Sequence, residues 1–167
     1  MRQGFRLLAA VLVSGFVVLA DQLTKKWFET DNASVFSFFF GWIRSVHHEN
    51  HGAIANLAVP SILIIVVSLL ICGLIVFGLN RNARQGRWTG IFSLSILFGG
   101  AIGNLVDRMR LGYVRDWILL FNMSAINLAD AAIAVGGLWL LWIVYRRQKA
   151  DVHKSKITAD QKPEIMV

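Results

Sequence analysis

At 167 residues, 56% of them hydrophobic and only 16% charged, the chain is too apolar for an ordinary soluble domain of its size. Its formal charge of +7 raises the question of a nucleic-acid partner, but the basic residues sit in blocks beside apolar runs, which speaks for membrane topology and against nucleic acid. A single cysteine, Cys72, excludes an intrachain disulfide and a cysteine-based metal cluster.

Four apolar runs approach the roughly 20 residues that cross a bilayer: residues 5–23, 59–79, 88–106 and 126–145. The first follows the basic MRQGFR and could alternatively be a cleavable signal peptide, since Val18-Leu19-Ala20 passes as a cleavage site. At its end, DQLTK sets Asp21 and Lys25 four residues apart, one helical turn, as a possible pair. A simple helix-end ion pair is the plainer use of the same spacing.

The loop over residues 24–58 holds FSFFFGW, Phe36 to Trp42, whose aromatic density suits the outer membrane interface or packing against the chain's own spans. Its HHENHGA stretch offers His47, His48, Glu49 and His51 as metal ligands, but without the HExxH order local hydrogen bonding is the expected use and a metal site is not expected. Cys72 falls within the second span and is expected to pack there.

In GGAIGNLVDR, Gly99 and Gly103 lie four apart and would let a neighbouring helix approach closely. Asn104, Asp107 and Arg108 share a helix face beyond them, and Arg108 is expected to pair with Asn104 and Asp107 in a polar network at the helix end. The next loop, GYVRDWILL, is β-prone and carries Asp116 between Tyr113 and Trp117. The fourth run opens with INLADAAI, placing Asp130 where a span begins, with Asn127 one turn earlier.

Ionisable groups at membrane depth are costly and usually functional. Asp116 and Asp130 arrive at one depth from separate segments, and two carboxylates brought close share a proton, the chemistry of an aspartic peptidase. Read singly, Asp130 could instead be an acid favoured by a helix N-terminus, and Asp116 a wetted loop acid. Eleven of the seventeen basic residues flank the first span's start, the second loop and the fourth span's end, so the positive-inside rule puts both termini in the cytoplasm. Asp21, Glu29, Asp31, Glu49, Asp107, Asp116 and Asp130 then face outward.

Taken in order, DQLTK, Asn50-His51-Gly52-Ala53, GGAIGNLVDR, GYVRDW and NLAD resemble the prolipoprotein signal peptidases, the type II signal peptidases of bacteria, over about residues 5–147. The resemblance implies a four-helix membrane aspartic peptidase that cuts before a diacylglyceryl-modified cysteine in bacterial prolipoproteins. It implies Asp116 and Asp130 as the catalytic pair. Asp21, Lys25, Asn50, Gly52, Asn104, Asp107, Arg108, Asn127 and Ala129 would then line or brace the site, without a metal or organic cofactor. The family's first span is retained, so cleavage after Ala20 is not expected. The chain departs from the family pattern at Ile126, where Phe is usual, at Arg115, where an apolar residue is usual, at Ile54-Ala55-Asn56, and in a shorter stretch between the two acids. These departures bear on substrate range and rate.

The expected fold is an all-α integral membrane protein of four transmembrane helices with a small extracytoplasmic β-rich, interfacial loop region. A four-span peptidase domain would occupy residues 1–147 and a disordered cytoplasmic tail residues 148–167. Expected partners are prolipoproteins and membrane lipid, with no nucleic acid, and the chain is expected to be a monomer of the bacterial inner membrane with its site at the outer face. The rival reading is an inactive relative or a non-enzymatic binding or assembly subunit using the same polar network to hold its helices.

Overall fold

The computed structural model describes residues 2–29, 37–52 and 60–160, with side chains to His153. Four long helices, α1 (Arg2–Glu29), α2 (Ser61–Gln85), α3 (Trp88–Leu111) and α4 (Leu128–Asp160), carry the four apolar runs and are long and apolar enough to cross a membrane, except that the fourth run's expected start, Ile126, ends a strand and its helix opens only at Leu128. Each extends beyond its run because backbone hydrogen bonding continues through polar ends that lack Pro or Gly breakers. The second run's expected start, Val59, lies outside the described residues, as do Asp31, Phe36, Ala53, Ile54-Ala55-Asn56 and Lys162.

α3 is the hub. Over half of its apolar window is buried, against 17% for each of the other three, so α1, α2 and α4 turn most of their apolar surface outward, as lipid-facing helices do. The GGAIG stretch explains how α1 and α4 come so near. A Cβ on Gly99 would sit 2.9 Å from the carbonyl oxygen of Ser14, and one on Gly103 would sit 2.6 Å from Oδ2 of Asp21. Small residues at such points let helices pack by close backbone approach where no hydrophobic drive separates them from lipid. Cys72 is buried on α2. Below it Ala10, Ile75, Leu79, Ala83, Ile91 and Leu94 form an apolar core toward the tight α2–α3 turn. There Gly86 adopts the left-handed conformation that ends α2, with φ of 70°.

The opposite end carries a four-stranded antiparallel sheet of β1 (Ser37–Phe38), β2 (Ile43–Asn50), β3 (Val114–Leu120) and β4 (Ser124–Ile126), in that spatial order. β2 pairs with β3 through Ser45 opposite Ile118 and then His48 opposite Asp116. The extra residue on β2 between those pairs is a bulge, which bends the strand and re-aims its end. Alternation along β3 buries Val114 and Asp116 on one face and turns Arg115 to the other. The β-rich region expected beside the four spans is therefore this sheet, and GYVRDWILL supplies its third strand.

The expected disordered tail needs correction over residues 148–160, which continue α4 without a break. Gln148, Lys149, Ala150 and Lys154 are good helix formers, and no proline interrupts residues 128–160, so an already nucleated helix propagates at little cost.

Candidate active site

The site grows from the N-terminus of α4. The first amides of any helix lack partners within it, and here the sequence Asn-Leu-Ala-Asp supplies them. Asn127 Oδ1 accepts from the Asp130 amide at 2.9 Å, while Asp130 Oδ2 accepts from the Asn127 amide at 3.2 Å. This reciprocal pair is a capping box built from Asn and Asp. The Ala129 amide between them donates to Asp21 Oδ1 of α1 at 2.9 Å. The box fixes the Asp130 carboxylate, and Asp21 pins the helix start to α1.

Asn127 then does a second job. Its Nδ2 donates to Asp116 Oδ1 at 2.6 Å and to Asn104 Oδ1 at 3.1 Å, so one side chain joins β3, α3 and α4. Asn104 Nδ2 donates to Asp130 Oδ1 at 2.7 Å, and Asn50 Nδ2 of β2 donates to Asp116 Oδ2 at 3.1 Å. The two acids expected from sequence are thus gathered on one amide network, each with both carboxylate oxygens engaged. Arg108 of α3 lies within electrostatic reach of both.

Asp116 is 2% exposed. Burial pushes its carboxyl up to about 6, the nearby Asp130 charge adds to the rise, and the donors from Asn50 and Asn127 oppose it. An acid in this position holds a proton well above the ordinary carboxylate range.

Behind the acids lies a buried charge cluster. Lys25 Nζ contacts Asp21 at 2.7 Å and Asp107 at 3.2 Å, with all three side chains fully buried. Lys25 also donates to Asn104 Oδ1 at 3.0 Å. The spacing of Asp21 and Lys25 predicts their pair, which is more than a helix-end contact because it reaches α3. The pairing expected of Arg108 with Asn104 and Asp107 is corrected, since Asn104 Oδ1 accepts from Lys25 and Asn127. Asp107 takes Lys25 and Arg115 instead, the latter at 2.8 Å, while Arg108 Nη2 donates to the Gly52 carbonyl oxygen at 3.4 Å. Residues 107 and 108 are neighbours on a helix and point about 100° apart, so one faces α1 and the other faces the end of β2. Arg108 thereby holds the Asn50–Gly52 turn, in which the Gly52 amide donates to Asn50 Oδ1 at 3.1 Å.

Sequence reasoning missed Gln22 and the partner of Arg115. Gln22 Nε2 reaches Asp107 Oδ1 at 3.1 Å and the Gly103 carbonyl oxygen at 3.2 Å, and its Oε1 accepts from Arg115. A polar residue adjoining Asp21 at the span's end was the available signal. Glu49 and His51 pair at 3.4 Å on the exposed side of β2, and His51 lies against the Tyr113 ring. No group of three metal-ligating side chains assembles among the described residues. An apolar groove of about 670 Å³ lies between α1, α2 and α3, lined by residues such as Ala10, Val18, Leu79 and Phe98. It touches the polar centre at Gln22 and includes neither acid.

Several likenesses bear on what these residues do. The chain is 31% identical over 153 residues to the lipoprotein signal peptidase of Pseudomonas aeruginosa strain UCBPP-PA14, covering 83% of this chain and 88% of that protein. It is 32% identical over 145 residues to the lipoprotein signal peptidase of Dehalococcoides mccartyi strain BAV1, covering 83% and 91%. Its fold is similar to that of a bacterial membrane enzyme solved by the in meso method at 2.3 Å resolution, with a TM-score of 0.70, 22% identity, and 95% and 94% of the two chains covered. The family model for signal peptidase (SPase) II matches residues 13–146, a span that contains every member of the amide network and the charge cluster. This multi-pass membrane chain belongs to the signal peptidase (SPase) II family and is a protease by that membership.

Proposed function

We propose that the chain is an aspartic endopeptidase that removes the signal peptide from bacterial prolipoproteins bearing a diacylglyceryl-modified cysteine, with Asp116 and Asp130 as its catalytic pair. The observation that carries this reading is the single Asn127 side chain bonded to Asp116 and to the start of α4, beside an Asp116 carboxyl raised to about 6. Two carboxylates so placed retain one proton between them after ordinary acids have lost theirs.

In the reaction the ionised member takes a proton from a water, and that water attacks the carbonyl carbon of the scissile peptide. The protonated member donates a hydrogen bond to the carbonyl oxygen as negative charge develops there. Collapse of the tetrahedral intermediate breaks the C–N bond, with the proton passed to the leaving amine. Asn50, Asn104 and Asn127 hold the carboxylates in place throughout, so little reorganisation accompanies the charge movement.

The position at the helix ends suits a substrate whose lipid chains remain in the bilayer while its peptide bond lies at the surface, where membrane anchoring adds affinity to pocket contacts. The arrangement of basic residues supports cytoplasmic termini with the site at the outer face. Purified full-length chain in lipid bicelles, mixed with a diacylglyceryl-modified prolipoprotein and with the same precursor lacking the lipid, tests the reading by gel mobility. Shortening of the lipidated precursor alone is expected. No cleavage of either precursor would support an inactive relative.

A further inference from the structure

Arg115 stands immediately before Asp116 and points the other way. Its main-chain N–H and its Nε both donate to Asp107 Oδ2, at 3.1 and 3.4 Å, and its Nη2 donates to Asp107 Oδ1 at 2.8 Å. The same guanidinium reaches Gln22 Oε1 at 3.0 Å and Glu29 Oε2 at 2.9 Å, both on α1. One residue of β3 is therefore fastened to α1 and α3 by five hydrogen bonds, at backbone and side chain together. From these contacts we infer that Arg115 is a positioning residue for the reaction, a clamp that seats β3 on the helices and so sets where the Asp116 carboxylate meets Asn127 and Asp130.

The geometry favours this over a general stabilising ion pair. Strand alternation ties the two side chains rigidly, so any shift of the Arg115 backbone is passed to the next Cα, which is Asp116. Asp107 is itself held by Lys25, and Lys25 also bonds Asn104, which bonds Asp130. Arg115 thus refers the position of one acid to the scaffold that holds the other. A planar guanidinium can engage Asp107, Gln22 and Glu29 at once, whereas a lysine ammonium in the same place cannot form that fork. The Phe28 ring of α1 stacks on Trp117 at 4.1 Å between centroids, a second grip on the same face of β3. The groups facing Asp116 are Asp130 of α4, Lys25 of α1, Arg108 of α3 and His48, its cross-strand partner on β2, together with the amides of Asn50 and Asn127.

The inference rests on the reading of Asp116 as catalytic, and the test separates the two. Full-length native chain, Arg115→Val, Arg115→Lys, Glu29→Gln and Asp116→Asn are compared for kcat and KM on lipidated precursor across pH, and for hydrogen exchange of the β3 amides. Arg115→Val should lower kcat roughly 100-fold with KM little changed, the loss typical of a misplaced reacting group. Arg115→Lys should recover part of it, and Glu29→Gln, which removes only the outer arm, should cost least. With the clamp released, water reaches Asp116, the pH at which kcat/KM falls moves down from about 6, and β3 amides exchange faster. If Arg115→Val and Arg115→Lys melt earlier but keep native kcat and the native pH midpoint while Asp116→Asn is inert, Arg115 is only a structural brace and the clamp is overturned. Should Arg115→Val fail to fold, Arg115→Lys decides by the same criteria. Cleavage by Asp116→Asn at the native rate overturns the catalytic reading itself.

Discussion

The amide of Asn127 and the proton of Asp116 make the residue-scale claims testable. If the pair works with one proton, the form that cleaves disappears as pH rises through the higher ionisation, so kcat/KM of the free enzyme should fall above pH of about 6. Bound substrate excludes more water from the same carboxyl, which places the corresponding fall in kcat at higher pH. Stability moves with the same sign. Because the folded value is raised above the ordinary 3.8, the Asp116 contribution is fully present below that value and lost as pH rises through about 6. Thermal melting from pH 4 to 7 should show this decline, and Asp116→Asn should flatten it. Asn127→Ala leaves an oxygen of Asp116 and the Asp130 amide without their partner, an expected cost of about 1 to 3 kcal/mol in denaturant unfolding together with loss of cleavage. The meeting of Asp116, Asp130 and Asn127 at one end of the bundle was legible in the chain, since polar residues at span ends are rare enough to notice. The capping box was not read from Asn-Leu-Ala-Asp, although its residue types and spacing were present.

At the scale of elements, the contact of α3 with its neighbours depends on small residues facing a buried charge. Gly103→Ala would drive a methyl to 2.6 Å from Asp21 Oδ2, where neither helix has room to shift without disturbing Lys25 and the Ala129 amide. Overpacking of this kind costs roughly 1 to 3 kcal/mol, and a drop in melting temperature with reduced cleavage is the expected result. Lys25→Met removes the cation shared by Asp21 and Asp107 and should cost about 3 to 5 kcal/mol, because it leaves buried charge uncompensated. The helices were legible from apolar runs alone, and so was the close approach at Gly99 and Gly103. The partner of Asp107 was not. Spacing along one helix says that Arg108 is adjacent, but only the packing of β3 on α1 and α3 brings Arg115 to that carboxylate. The continuation of α4 past residue 148 was also missed, because polar composition was read as disorder although it is equally compatible with an extended helix end.

For the whole molecule, the sheet and both acids lie at the end of the bundle opposite the Arg81–Arg87 turn. Reporter fusions after Leu111 should therefore score as outside, and fusions after Arg84 and Lys149 as inside. A fusion at Arg84 active only outside would turn the site to the other face. The architecture as a whole was readable because four spans and a charge asymmetry leave few arrangements, whereas the pairing of β2 with β3 across two helices carries no local signature. Asp116 and Asp130 are proposed to act as one unit, and the decisive comparison is of Asp116→Asn, Asp130→Asn and the double variant on lipidated precursor. Each single change should abolish cleavage while the protein still inserts and folds, and the double variant should be scarcely worse than either, since residues that act together are strongly non-additive. Substantial cleavage by either single variant would contradict the dyad.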